Sequence, residues 1–305
     1  MKLSVIIPIY NEEELIDTLI ERTRNAITSV TDDFEIICVN DGSIDRSLEK
    51  LVKFHYIDKR LKIISLSRNF GHQAAYTAGL EYAKGEYVAM MDGDLQDPPE
   101  LIGEMLKKAE DEKIDVVYGK RKASKEEFQK RFFARTFHYI FRKVSLMNEI
   151  QNVGNFAVMN RKALDALLSF KEKNRYLPGL RAFIGFHQNE VVYERQQRLA
   201  GEAKMTLAKL FRLGFDAVFS FTDLPIKLCL YTGLTGMVSC VIAFFYVILS
   251  KLTGIAPFGW SSTTLSIFFL GFIQLIFLGI LGEYLFRVYR ESQGRPVYII
   301  SEIYE

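Results

Sequence analysis

LCLYTGLTGMVSCVIAFFYVILS, Leu228 to Ser250, runs for about 23 residues without a charge, and Ser261 to Leu281 for about 21, each enough to cross a bilayer as a helix. Helices buried in a soluble core are the competing reading, but such helices normally carry a polar stripe that both runs lack. Gly254, Pro257 and Gly259 interrupt the pattern between them. The sequence therefore predicts a two-helix transmembrane hairpin, spans 227–250 and 262–286, within a segment 226–287. Lys227 precedes the first run and Arg287, Arg290 and Arg295 follow the second, whereas the connecting loop carries Lys251 alone. That asymmetry predicts both termini, including a tail 288–305, on the cytoplasmic side of the cell (inner) membrane.

The other residues of a 305-residue chain leave room for a substantial soluble domain. A net charge of +2 excludes the strongly basic surface that tracks nucleic acid. Cys38, Cys229 and Cys240 sit in apolar stretches without CxxC spacing, as small hydrophobes rather than metal ligands or disulfide partners. The opening MKLSVIIPIYNEEE is β-branched, broken by Pro8 and promptly acidic, which suits a first strand better than a signal peptide.

Short β-branched runs at Leu3–Ile9, Phe34–Asn40, Leu61–Leu66, Tyr87–Met91 and Val116–Tyr118 alternate with amphipathic segments. This order predicts an α/β fold with a mostly parallel, doubly wound sheet in a cytoplasmic domain 1–204. Such sheets take ligands at the carboxyl ends of their strands. Polar clusters fall at those ends: Tyr10-Asn11-Glu12, Asp41-Gly42-Ser43, Arg68-Asn69-Phe70-Gly71 and Asp92-Gly93-Asp94. Beyond the sheet, 125–145 interleaves basic and aromatic residues, with Arg131, Arg135 and Arg142 on one stripe of a helix and Phe133, Phe137, Ile140 and Phe141 on another face. A helix lying on an anionic membrane needs that pattern, and aromatic core packing beneath solvated arginines also produces it. A second amphipathic stretch, 205–225, leads into the first span.

VAMMDGDLQDPPE passes from apolar to acidic within a few residues. Asp92 and Asp94 are two apart, so in extended backbone both carboxylates leave on one side, at the crevice. Paired carboxylates repel unless a cation sits with them, and oxygen donors favour Mg²⁺ or Mn²⁺, which completes its shell with water and substrate phosphate. A solvated acidic loop that starts a helix at Pro98-Pro99 is the plainer alternative for the same residues. No GxxxxGK[ST] and no GxGxxG follows the first strand, which argues against a P-loop ATPase and a dinucleotide oxidoreductase. Asp41 suits either a base or ribose hydroxyl or a simple Asp-Gly turn. His72, without a second ligand nearby, reads as a polar contact rather than a metal site.

SVIIPIYNEEE, VNDGSIDRS, SRNFGHQAAYTAGL and DGDLQDPPE, in that order, resemble glycosyltransferase family 2 enzymes of the GT-A fold. RYLPGLRAFIGF, ERQQRLAGEAKM, the two apolar runs and GEYLFRVYRESQGRPVY resemble its polyprenyl-phosphate branch, which includes bactoprenol glucosyltransferases and is related to dolichyl-phosphate mannose synthase. The resemblance implies inverting transfer of a hexose, with glucose favoured, from a UDP-sugar or related nucleotide sugar to a polyprenyl phosphate. It implies that Pro8, Tyr10, Asn11, Glu12, Asp41, Gly42, Ser43, Asn69, Gly71 and Gly93 line the nucleotide-sugar site. Asp92 and Asp94 match the DxD pair, with Gln96 beside them, holding Mg²⁺ or Mn²⁺. Arg121, Arg131, Arg135 and Lys204 match positions near the lipid phosphate, and Arg198, Gly201, Glu202 and Lys204 an RxxGExK element that closes over the donor. Gly233, Gly236 and Gly279 permit close helix contacts and so a homo-oligomer.

One position departs from the pattern. Relatives have Gly-Asp-Phe where this chain has Gly154-Asn155-Phe156, and an amide cannot take a proton. A lipid phosphate oxygen is already anionic and needs no base, so Asn155 is expected to orient it. A silent nucleotide-sugar-binding scaffold is the alternative that Asn155 leaves open. A processive polysaccharide synthase is disfavoured because its QxxRW element is absent: the single tryptophan, Trp260, lies between the apolar runs.

Overall fold

A computed structural model describes residues 1–122, 153–173, 175–196 and 259–305, together with 231–233, 235–236, 238–239, 241–242 and 245. The basic aromatic stretch 125–145, the segment 205–225, Arg131, Arg135, Arg198, Lys204 and most of the first apolar run lie outside the described residues. The chain divides into two units, one of Met1–Arg131, Met147–Ala203 and Arg295–Glu305, the other of Phe132–Leu146 and Lys204–Gly294.

In the first unit, strands β1 (Leu3–Ile9), β2 (Phe34–Asn40), β3 (Leu61–Leu66), β4 (Tyr87–Met90), β5 (Val116–Arg121), β6 (Val153–Asn160), β7 (Gln188–Tyr193) and β8 (Ile300–Tyr304) form one sheet in the order β7-β5-β6-β4-β1-β2-β3-β8. β1 pairs in parallel with β2 and β4, and β2 with β3. Every residue of β1 and β2 is buried, as strands covered on both faces require. On one face, Val5, Ile7 and Ile9 pack with α1 (Ile16–Thr28), α2 (Ser47–Ile57) and α4 (Leu101–Asp111) through Leu19, Leu51 and Met105. On the other, Ile6, Val39 and Ile64 pack with α3 (His72–Tyr82), α5 (Arg161–Leu168) and α6 (Leu177–Phe183) through Ala75, Leu164 and Leu180. This is the doubly wound arrangement that the strand and helix alternation predicts.

Three strands escaped the sequence reading, among them β7, which pairs in parallel with β5. β6 inserts antiparallel between β4 and β5, which brings Gly154 and Asn155 to the carboxyl ends of β4 and β5. β8 is formed by residues expected as a free tail, and pairs antiparallel with β3, Ile63 opposite Tyr304. The Tyr298 hydroxyl donates to Glu81 on α3 at 2.5 Å, fastening the approach to β8.

In the second unit, α7 (Gly259–Ser292) has 34 residues, about 50 Å at 1.5 Å per residue. Phe269–Ser292 is apolar and long enough to cross a membrane, with mean hydropathy 1.9 and none of its span buried. The helix extends beyond the expected 262–286 at both ends, and Glu283 and Arg287 pair on it at 2.9 Å one turn apart. The described positions of 231–245 are helical, and a side chain at Gly233 would stand 3.8 Å from the Phe277 ring. A single crossing-length helix is present among the described residues, so the two-helix hairpin is not established by the structure.

Candidate active site

The loops that leave β1, β2, β3 and β4 converge at one edge of the sheet and are fastened to each other. Asn11, at φ 52°, donates its N–H to the Ser43 hydroxyl at 3.0 Å and accepts the Ile44 N–H on its side chain at 2.9 Å. The Glu12 N–H donates to Ser47 and the Glu13 N–H to Asp45. Asp41 is buried, and its two carboxylate oxygens accept the N–H groups of Phe70 and Gly71 at 2.7 and 3.0 Å. Burial raises its pKa although those bonds and the nearby His72 and Arg68 charges oppose the shift. Asp41 thus shapes the loop that carries Asn69 and Gly71. Gly42, at φ 66°, is the residue on which that loop lies, since a Cβ there would come within 2.4 Å of the Arg68 carbonyl carbon. Gly93 is fixed in the same way: its Cβ would meet the Pro8 carbonyl oxygen at 2.9 Å. Tyr10 stands at the rim of this framework, 37% exposed.

Asp92 and Asp94 follow β4 in the centre. Asp92 accepts on Oδ1 from the Tyr76 hydroxyl at 2.7 Å, and His72 Nε2 lies 3.0 Å from the same oxygen. Burial works to raise the Asp92 pKa, but the hydrogen bonds from His72 and Tyr76 and the charges of His72 and Arg121 outweigh it and hold the carboxyl at about 2. His72 is raised in turn: burial opposes its charge, and Asp92, Asp41 and Asp94 together overcome that. His72 is therefore a polar contact of the diacid, as the sequence reading has it. Asp94 accepts the Gln96 N–H at 3.2 Å on one oxygen, and Arg195 is 3.9 Å from the other.

These residues fit a divalent cation of one kind. No three His, Cys, Asp or Glu side chains cluster for a metal among the described residues. A closed protein cage is thus not offered, whereas two adjacent carboxylates suit Mg²⁺ or Mn²⁺ finished by phosphate and water. Gln96 is adjacent, but its described contacts are backbone ones: its N–H to Asp94 and its carbonyl from Gln196.

Arg121, at the end of β5, is not an isolated cation. Its guanidinium lies 3.4 Å from Asp97 and donates to the Tyr193 hydroxyl at 3.2 Å, and Tyr193 also donates to Asp97. Asp97 is fully buried, and that burial raises its pKa against the Arg121 charge. Asn155, on β6, accepts from Gln73 Nε2 at 3.4 Å, and Gln73 Oε1 accepts the Leu177 N–H at the start of α6. The structure therefore brings Asp92, Asp94, Arg121 and Asn155 to one edge of the sheet. Sequence reasoning missed Tyr76, Asp97, Tyr193, Gln73 and Arg195. A tyrosine one turn after His72 on a helix starting at the crevice was a usable signal for Tyr76; nothing local marks Tyr193, which β5–β7 pairing alone brings beside Arg121.

A mostly parallel α/β sheet with a diacid at a strand end and fastened loops around it defines a GT-A-like glycosyltransferase domain. The chain belongs to glycosyl transferase family 2, whose family model matches residues 4–168. It is 41% identical over 307 residues to the uncharacterised glycosyltransferase YkcC of Bacillus subtilis, covering 99% of this chain and 94% of that one. It is 34% identical over 303 residues to the bactoprenol glucosyl transferase of Shigella phage SfV, covering 99% and 98%. Glucosyl-3-phosphoglycerate synthase from Mycobacterium tuberculosis, solved with Mn²⁺, UDP and phosphoglyceric acid, shares the fold at 18% identity and a TM-score of 0.52, over 72% of this chain and 76% of that one.

Proposed function

We propose that the protein transfers a hexose, glucose being favoured, from a UDP-linked donor to a polyprenyl phosphate at the cytoplasmic membrane face. The observation that carries this reading is the diacid Asp92 and Asp94 at a strand end, in a chain matched over nearly its full length by a bactoprenol glucosyl transferase. The donor is assigned to the loops around Tyr10, Asn11, Glu12, Asp41, Ser43 and Asn69, and the acceptor to the β5–β6 side with Arg121 and Asn155. A divalent cation held by Asp94 and Asp92 would neutralise charge on the departing diphosphate. His72 and Tyr76 fix Asp92 Oδ1, which limits how that carboxylate can turn. A lone pair on the lipid phosphate oxygen forms the bond to the anomeric carbon, and the bond from that carbon to the diphosphate oxygen breaks with its electron pair. No proton moves in this displacement, so Asn155 in place of an acid is compatible with it, and an α-linked donor gives a β-linked product. Arg131, Arg135, Arg198 and Lys204 are assigned to the phosphate groups by resemblance alone.

Chain topology supports the membrane part of the reading. β1 and β8 belong to one sheet, which favours an even number of crossings between them. We assign Phe269–Ser292 to one crossing and, from its uncharged sequence alone, the run 228–250 to the other. The test is purified full-length protein in nanodiscs with UDP-hexoses, Mg²⁺ or Mn²⁺ and a short polyprenyl phosphate, with the lipid products weighed by mass spectrometry. A lipid-linked monosaccharide is expected; polymer, or donor binding without any lipid product, would overturn the reading.

A further inference from the structure

Two arginines close on Gly154 at the start of β6. Arg121 packs against its Cα, so that a Cβ there would meet Nη2 at 3.1 Å. Arg181, on α6, donates from Nη2 to the Gly154 carbonyl at 3.2 Å. The two differ in charge balance. Arg121 has Asp97 at 3.4 Å, so its charge is answered within the protein. Arg181 is 3% exposed, and no carboxylate pairs with it among the described residues. The Gly154 carbonyl and the face of the Tyr118 ring, 5.3 Å from the guanidinium carbon, are its described partners. Burial dominates there and pulls its pKa down to about 10 against the weaker pull of Tyr118 and Tyr176. An unanswered buried cation is among the costliest groups a fold can hold, and it signals a missing anion.

Resting on the reading above, we propose that Arg181 is a phosphate-binding residue at the acceptor end of the crevice, its charge answered by the phosphate monoester of the lipid. Its position favours the acceptor over the nucleoside end of the donor. β6 is separated from β1 by β4 and from β2 by two strands. At about 4.8 Å per strand, Gly154 is roughly 10 Å and 14 Å from the loops assigned to the nucleotide. Asn155, the next residue, is held by Gln73, and Gln73 also holds the first turn of α6, so the acceptor-side groups are tied to one another. Arg181 falls in RYLPGLRAFIGF, where nothing in the sequence separates it from an ordinary surface arginine.

The experiment compares wild type, Arg181→Gln and Arg181→Lys, each full-length in nanodiscs. Arg181→Gln is expected to raise the KM for short polyprenyl phosphate at least tenfold, with kcat and the calorimetric Kd for UDP-sugar within about twofold, and Arg181→Lys is expected to recover part of the loss. An unchanged acceptor KM in Arg181→Gln, or an equal loss of donor affinity, would overturn the proposal. If Arg181→Gln does not fold, Arg181→Lys decides, since a shorter side chain with one nitrogen in place of the guanidinium fork must still raise the acceptor KM. Wild type is also melted with inorganic phosphate, independently of turnover: stabilisation that Arg181→Lys weakens supports the subsite, and its absence overturns it. Wild type that never glycosylates lipid yet is stabilised by phosphate through Arg181 would sink the proposed reaction and keep the subsite.

Discussion

Asp92 is a partly buried carboxylate whose ionised form is fixed by its neighbours. Two groups on one oxygen hold it ionised and oriented. Asp92→Asn and Asp94→Asn are each expected to lower kcat by about 100-fold or more, the scale of losing charge stabilisation in a transition state. Product formation at saturating donor and Mn²⁺, and its abolition by chelator, measures this. Glu35 plays a structural part away from the crevice. Fully buried, it takes the Ser4 hydroxyl at 2.6 Å, the Lys84 N–H at 2.8 Å and the Lys62 ammonium at 2.7 Å. Burial acts to raise its pKa, but Lys62, Ser4 and the Lys84 N–H prevail and lower it. A lowered carboxyl stabilises the fold above its unfolded pKa of about 4.3 and ceases to as pH falls through its folded value. Glu35→Gln is expected to cost about 2 kcal/mol at pH 7, and less as pH drops below about 4, in thermal melts of both proteins across that range.

At the scale of elements, close backbone approaches position the site. α3 carries His72, Gln73 and Tyr76, and it reaches them only because Gly79 lets it settle on β1 and β2: a Cβ there would come within 2.3 Å of Ile6 Cγ2 and 3.0 Å of Val39 Cγ2. Gly79→Val is expected to lift α3 and destabilise by about 2–3 kcal/mol through overpacking. Donor Kd and melting temperature measure it, and both are expected to worsen, whereas Gly236→Ala, with open space around its Cβ, is expected to leave both unchanged. The strands β1 to β4 were legible because each is an apolar run ending in a polar cluster. β6 was not, since Val153–Asn160 begins Val-Gly-Asn and has no alternation to mark it; burial on both faces, from Phe156 to Met159, makes it a strand.

For the whole molecule, β8 joins the segment after α7 to the edge of the sheet. Without it β3 would present an open edge, the feature through which sheets associate. Deleting 297–305 is expected to lower the melting temperature by several degrees and to promote aggregation, as loss of an edge strand and of the Tyr298–Glu81 bond requires. Light scattering during a thermal ramp measures both. Peptide tags before Met1 and after Glu305 are expected to be digested together from the cytoplasmic side of sealed vesicles, since β1 and β8 share one sheet. The sequence by itself determined the strand-and-helix alternation, the diacid and the apolar runs, because each is written in a few neighbouring residues whose period or charge is local. Tertiary structure alone decided that Tyr193 and Asp97 answer Arg121 while Arg181 meets no carboxylate among the described residues, and that the chain's last residues complete its sheet. Those outcomes depend on pairing residues 24 to 241 positions apart, as in Arg121 with Asp97 and Ile63 with Tyr304, and no local pattern encodes which distant partner a buried charge or an open strand edge will meet.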